Sequence, residues 1–123
     1  MKMDYRINES EYRFMDVLWD MEPAGSMELV RVCGERMGWK KSTTYTVIKK
    51  LADKGIVRNE DAVVTALIKR EEAQLKESDE FLGRKFRGSL PDFLAAFLQD
   101  KKLSREEAER MEKMIRDAVD DSK

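Results

Sequence analysis

Residues 38–55 read GWKKSTTYTVIKKLADKG, and the fold turns on how this stretch is wound. At ~100° per residue in a helix, Thr44, Val47, Ile48 and Leu51 fall together on one side. Ser42, Thr46, Lys49 and Asp53 fall on the other, flanked by Thr43, Tyr45 and Lys50. The inner face can pack against neighbouring helices, and the outer face can meet a charged partner. Lysines suit a nucleic-acid duplex because they neutralise phosphates and release counterions. Hydroxyls bond phosphate oxygens or base edges, and a threonine methyl can sit against a thymine methyl in the major groove. A lysine-bearing amphipathic helix also fits a merely solvated surface, so the surroundings must decide.

A chain of 123 residues is enough for one domain, or for two small units, with a modest core. Its hydrophobic fraction of 41% argues against wholesale disorder, while its charged fraction of 40% lies well above the usual ~25%. This composition suits a mainly helical protein with much exposed helix surface. The absence of histidine removes imidazole base catalysis and the commonest metal ligand. Cys33 stands alone, so no internal disulfide and no cysteine cluster for a metal can form. No catalytic residue, cofactor or metal is therefore expected. Without an apolar run of ~18 residues or a signal-like start, the expected location is the cytoplasm, with no membrane partner.

The net charge of −1 hides an uneven distribution, and distribution governs binding to a polyanion. Between residues 36 and 58 stand Arg36, Lys40, Lys41, Lys49, Lys50, Lys54 and Arg58, against the single acid Asp53. The last third is rich in acids, among them Glu106, Glu107, Glu109, Glu112, Asp117, Asp120 and Asp121.

The pattern before and after the central stretch supplies its context. Asn8 and Glu11 form a capping-box signature, and Tyr12, Met15, Leu18 and Trp19 recur at helical spacing over about Glu9 to Met21. Pro23 and Gly25 then mark a turn. Ser26 is the expected N-cap of a second helix whose Leu29, Val30, Cys33 and Met37 share a face, and Gly38 closes it. Cys33 reads most simply as a small core residue, and Trp39 as a wedge at the next turn. Lys40 and Ser42 compete as N-cap of the third helix, which Gly55 ends. Two helices, a short turn and a helix with a basic outer face make a helix-turn-helix. Ile56 to Asn59 and Ala62 to Ile68 are rich in strand formers, with Glu60 and Asp61 at the expected turn. A hairpin in that place completes a winged helix. Its acidic tip would be repelled by phosphates.

From Arg70 the pattern is helical again, with Leu75, Phe81, Leu82 and Phe86 along one helix ended by Gly88. Ser89 caps a shorter helix with Pro91 in its first turn and Leu90, Phe93, Leu94, Phe97 and Leu98 along it. Ser104 and Glu107 open a last helix holding Ala108, Met111, Met114, Ile115 and Val119, and residues 120–123 are expected to fray. Phe81, Phe86, Phe93 and Phe97 bring more apolar surface than three short helices can bury against one another. Either the N-terminal lobe or a second copy must cover it, and a symmetric dimer is the commonest solution. The expected dimerisation residues are Phe81, Phe86, Phe93, Leu94, Phe97, Leu98, Met111 and Ile115. The expected division is a winged-helix lobe over residues 1–70 and a three-helix dimerisation lobe over 71–123.

With these segments in place, the chain resembles the penicillinase repressor family of bacterial transcriptional regulators, the BlaI, MecI and CopY group. The resemblance runs from Asn8 to Val119 and rests on EYRFMDVLW at residues 11–19, on GWKKSTTYTVIKKLADKG, and on RGSL at 87–90 followed by FLAAFLQDKKLSREEAERM. It implies a winged-helix lobe that reads operator DNA, a helical dimerisation lobe, and repression at operator dyads. On this chain the reading helix maps to Ser42, Thr43, Tyr45, Thr46, Lys49 and Lys50, with Lys41 joining them as a DNA contact. Thr43 and Thr46 are the expected base contacts, and Lys49 and Lys50 the expected phosphate contacts.

Three departures bound what the resemblance carries. The family's wing is usually longer and more basic. Members controlled by a sensor protease are cut at an Asn-Phe bond, where this chain has Ala96-Phe97, which argues against release by that route. Copper-responsive members carry Cys-x-Cys pairs, a ligand set that one cysteine cannot supply. The expected function is a sequence-specific repressor acting as a homodimer on palindromic double-stranded DNA. The alternative is a winged-helix module that binds a protein partner through its acidic wing and C-terminal lobe.

Overall fold

In the computed structural model, residues 5–120 are described. The chain folds as α1 (Glu9–Met21), β1 (Ala24–Gly25), α2 (Ser26–Met37), α3 (Lys41–Asp53), β2 (Val57–Glu60), β3 (Val63–Ala66), α4 (Arg70–Phe86), α5 (Leu90–Phe97) and α6 (Arg105–Ala118). Contacts divide it into two compact units, Met1–Glu77 and Ser78–Lys123, with α4 contributing to both. The expected fraying of residues 120–123 falls, apart from Asp120, outside the described residues.

In the first unit, α1 starts where its sequence says it should. The Asn8 side chain accepts the Glu11 N–H at 2.8 Å, and Glu11 Oε1 accepts the Asn8 N–H at 2.9 Å, so two backbone donors at the helix start are satisfied reciprocally. Phe14, Met15 and Leu18 of α1 then meet Leu29 and Cys33 of α2, Ile48 and Leu51 of α3, and Ile56, Val57 and Val64 of the sheet in one core. Each large side chain taken fully out of water stabilises the fold by about 1.5–3 kcal/mol. Gly38, in the left-handed region at φ 69°, closes α2 as expected. After α3, Gly55 at φ 78° lets the Ile56 N–H return to the Leu51 carbonyl at 2.9 Å.

Four local expectations are corrected. Gly25, not Ser26, occupies the N-cap of α2; Ser26 is buried, and its N–H bonds the Ala62 carbonyl at 2.8 Å. The reason is β1, which the sequence did not disclose: Ala24 and Gly25 pair antiparallel with Val64 and Val63. The sheet therefore has three strands in the order β1-β3-β2 rather than being a lone hairpin. On α2, Val32 joins Leu29 and Cys33 in the core, while Val30 and Met37 are half-buried. The β2–β3 turn lies at Asp61 and Ala62, both at positive φ (53° and 62°), one residue later than Glu60–Asp61. Paired positive φ values match the right-handed twist of a tight hairpin.

The far end of α1 ties the sheet to the start of α4. Trp19 Nε1–H donates to the Ile68 carbonyl at 2.9 Å, and the Arg70 guanidinium lies 5.4 Å from the Trp19 ring while bonding Asp20 at 2.9 Å. Glu22 Oε1 accepts the Ala66 N–H at 2.8 Å.

In the second unit, the Ser89 and Ser104 hydroxyls accept N–H bonds from Asp92 and Glu107, so both predicted caps form. Phe81, Phe86 and Phe93 are mutually in contact, with ring centroids 5.4–5.9 Å apart, and Phe97 joins through Phe93 at 5.7 Å. Even so, none of the described residues beyond Glu77 is buried.

Lys54 is set against the almost fully buried Glu11 at 2.7 Å and also donates to the Arg6 carbonyl at 2.8 Å. Removing one member of such a pair leaves a charge stranded out of water. Lys54→Met should therefore lower unfolding stability by about 2–3 kcal/mol. Glu11→Gln added to it should restore most of the loss, because Gln still serves the capping box. Urea denaturation of the single and double variants measures both.

Candidate nucleic-acid interface

α3 divides as its periodicity requires. Thr44, Val47, Ile48 and Leu51 are buried, and Lys41, Ser42, Thr43, Thr46, Lys49, Lys50 and Asp53 are exposed. Lys40 takes the N-cap position without a side-chain cap bond, which settles the open choice between Lys40 and Ser42 and leaves Ser42 in the first turn. Tyr45 differs from its neighbours. It is half-buried against the core, its hydroxyl donates to Met27 Sδ at 3.2 Å, and the Lys41 ammonium lies 5.9 Å from its ring centre.

The basic patch is smaller than the residue count between 36 and 58 suggested. Lys54 is committed to Glu11, Arg36 lies 3.7 Å from Asp20, and Arg58 lies 3.5 Å from Glu60. Lys49 reaches Asp53 at 3.3 Å, with both side chains mostly in water. Surface pairs of that kind contribute little and are screened by salt, so Lys49 can exchange Asp53 for a phosphate. Among the described residues, Lys40, Lys41 and Lys50 face no carboxylate within ion-pair distance.

A feature missed in the sequence lies beside this row. The start of α1 and the outer side of α3 enclose an open cavity of about 360 Å³, lined by Asn8, Ser10, Glu11, Trp39, Ser42, Thr43, Thr46, Val47 and Lys50. Ser10, Ser42, Thr43, Thr46 and Lys50 thus share one concavity. Ser10 lies more than thirty residues before α3 in the chain, and no local pattern announces that contact. Trp39, the expected wedge, also lines it and packs against the core.

Other chemistry finds little support among the described residues. No group of His, Cys, Asp and Glu could hold a metal. Burial pushes the Cys33 thiol above its ordinary pKa, only partly offset by a hydrogen bond with Thr44, so it stays a neutral core side chain near pH 7. No described helix is long and apolar enough to cross a membrane.

The sequence profile of the penicillinase repressor family matches residues 7–117. The chain belongs to this family. Among its relatives is the methicillin resistance regulatory protein MecI of Staphylococcus aureus (strain Mu50 / ATCC 700699), 23% identical over 115 residues, covering 90% of this chain and 94% of that protein. The penicillinase repressor of Bacillus licheniformis is 24% identical over 119 residues, covering 94% of this chain and 93% of that protein. A similar solved structure is the solution structure of the Bacillus licheniformis BlaI monomeric form in complex with the blaP half-operator. It aligns with TM-score 0.50 at 24% identity, over 58% of this chain and 93% of that one. The likeness supports a winged-helix fold for the matched part. In this member of the family, the wing formed by β2 and β3 keeps the acidic tip read from the sequence, with Glu60 and Asp61 exposed.

The Lys49–Asp53 pair yields a direct test of the interface. Asp53→Asn should strengthen duplex binding about two- to threefold in low salt by freeing Lys49 and removing a like charge from the DNA side. Fluorescence anisotropy should show that gain fading as salt rises.

Proposed function

We propose that the protein is a transcriptional repressor that binds an operator dyad in double-stranded DNA as a homodimer. The observation that carries this is the division of α3. Its inner row is locked in the core, and its outer row offers hydroxyls and free lysines in a family of repressors. The first compact unit takes the DNA-binding role, with α3 in the major groove. Thr43 and Thr46 meet base edges, Lys41, Lys49 and Lys50 meet phosphates, and Ser42 and Tyr45 fix the approach. Ser10 joins them through the shared cavity.

The second unit takes the dimerisation role. It has no buried residue among those described, yet Phe97 is 45% exposed and Ile115 53% exposed. An apolar surface of this kind is stabilised when a second copy covers it. Phe81, Phe86, Phe93, Leu94, Phe97, Leu98, Met111 and Ile115 form that interface. Two-fold symmetry then sets two copies of α3 about one DNA turn apart on a palindromic site. Repression by occupancy needs no catalytic group, and the protein is no enzyme. An operator partner places it in the cytoplasm.

Selection of bound duplexes from a random library tests this directly, and a palindromic motif is the expected outcome. Lys50→Ala should weaken binding to all sequences and reduce the salt slope by about one unit. Thr46→Ala should relax preference at one base pair in each half-site. A folded, dimeric protein that enriches no motif would overturn the reading in favour of a protein partner at the acidic wing. Phe97→Asp should convert the dimer to monomer in sedimentation at micromolar concentration and remove the preference for two half-sites over one.

A further inference from the structure

We propose that Met27 is a modification site. Its thioether is oxidised to the sulfoxide by a hydroperoxide, and the change repositions Tyr45 on the outer flank of α3.

Met27 lies in the first turn of α2 and is 60% exposed. Its sulfur accepts the Tyr45 hydroxyl at 3.2 Å, a bond that links the two helices of the helix-turn-helix at the surface. The other methionines among the described residues differ. Met15 is fully buried, and Met21, Met37 and Met111 are half-buried. Met114 is as exposed, at 59%, but stands in α6 of the second unit. Met27 alone of these combines access to solvent with a hydrogen bond to an expected DNA-contact residue.

The chemistry balances with a hydroperoxide as oxidant. A sulfur lone pair attacks the terminal peroxide oxygen, the S–O bond forms as the O–O bond breaks, and the proton passes to the departing oxygen. The sulfur gives up two electrons, and the peroxide leaves as an alcohol, or as water when it is hydrogen peroxide. The product replaces a weak acceptor with a strong, polar one. Its new oxygen competes for the space between the sulfur and the Tyr45 hydroxyl, so the hydroxyl must be re-aimed. Tyr45 cannot absorb this by retreating, because its ring already packs on the core, and Lys41 stands over that ring.

The consequence for DNA rests on the repressor reading. Oxidation should lower operator affinity about fivefold, the scale of one net hydrogen bond, and methionine sulfoxide reductases should restore it. The intact protein is treated with hydrogen peroxide and each methionine followed by peptide mapping. Met27 and Met114 should oxidise ahead of Met15. Tyr45→Phe should speed Met27 oxidation about twofold or more, because the lost O–H donor no longer draws on the sulfur lone pair, and should leave Met114 unchanged. Met27→Leu should make affinity insensitive to peroxide, whereas Met114→Leu should not.

Equal loss of affinity in Met27→Leu and wild type would overturn the proposal, as would a Met27 oxidation rate indifferent to Tyr45→Phe. The rate comparison uses no DNA, and NMR of the tyrosine rings reads the displacement of Tyr45 without it. Absence of operator binding by the unoxidised protein would therefore defeat the repressor reading separately. Tyr45 signals that stay still as Met27 oxidises would defeat the site itself.

Discussion

Glu11 is 1% exposed, and the arrangement of the first unit depends on keeping its carboxylate satisfied out of water. One oxygen serves two elements at once: it closes the capping box at the start of α1 and receives the Lys54 ammonium from the residue that ends α3. Its other oxygen, Oε2, is buried without a protein hydrogen-bond partner. A buried charge holds its position because moving away from its partners costs several kcal/mol. Glu11 thus registers the start of α1 against the end of α3, and the apolar contacts of Phe14, Leu18, Ile48 and Leu51 fill the space between.

That registration also decides which positive charges remain available for a partner. Lys54 is spent on the core, whereas Lys40, Lys41 and Lys50 stay open to solvent and Lys49 is only loosely held by Asp53. The result is a narrow strip of hydroxyls and amines rather than a broad basic surface. A narrow strip favours contacts at one groove over non-specific attachment along a backbone. The acidic wing tip acts in the same direction, since it adds no attraction for phosphate. In the proposed dimer, binding strength would then depend heavily on two copies acting together.

Much of this was legible in the sequence because it is governed by short-range rules. The Asn8–Glu11 box, the stop at Gly38 and the caps at Ser89 and Ser104 depend on groups a few residues apart. The facing of α3 depends only on helical periodicity. By contrast, β1 is two residues long and carries no periodicity of its own. It exists because β3 supplies partners about forty residues later. Its pairing moved the start of α2 from a side-chain cap to a backbone bond between Ser26 and Ala62. The bend of the hairpin shifted by one residue for a related reason, because strand register is set by the pairing partner as well as by turn composition.

By itself, the sequence determined the order of the six helices and the β2–β3 hairpin, the two faces of α3 and the surplus of phenylalanines in the C-terminal third, because each follows from spacing along one chain. Only the tertiary structure decided that Lys54 belongs to Glu11, that Tyr45 leans on Met27, and that Ser10 shares a cavity with Thr46 and Lys50. Those pairings join residues 18 to 43 positions apart, and a side chain's charge or hydroxyl carries no record of which distant partner will claim it. Composition counts charges; packing assigns them.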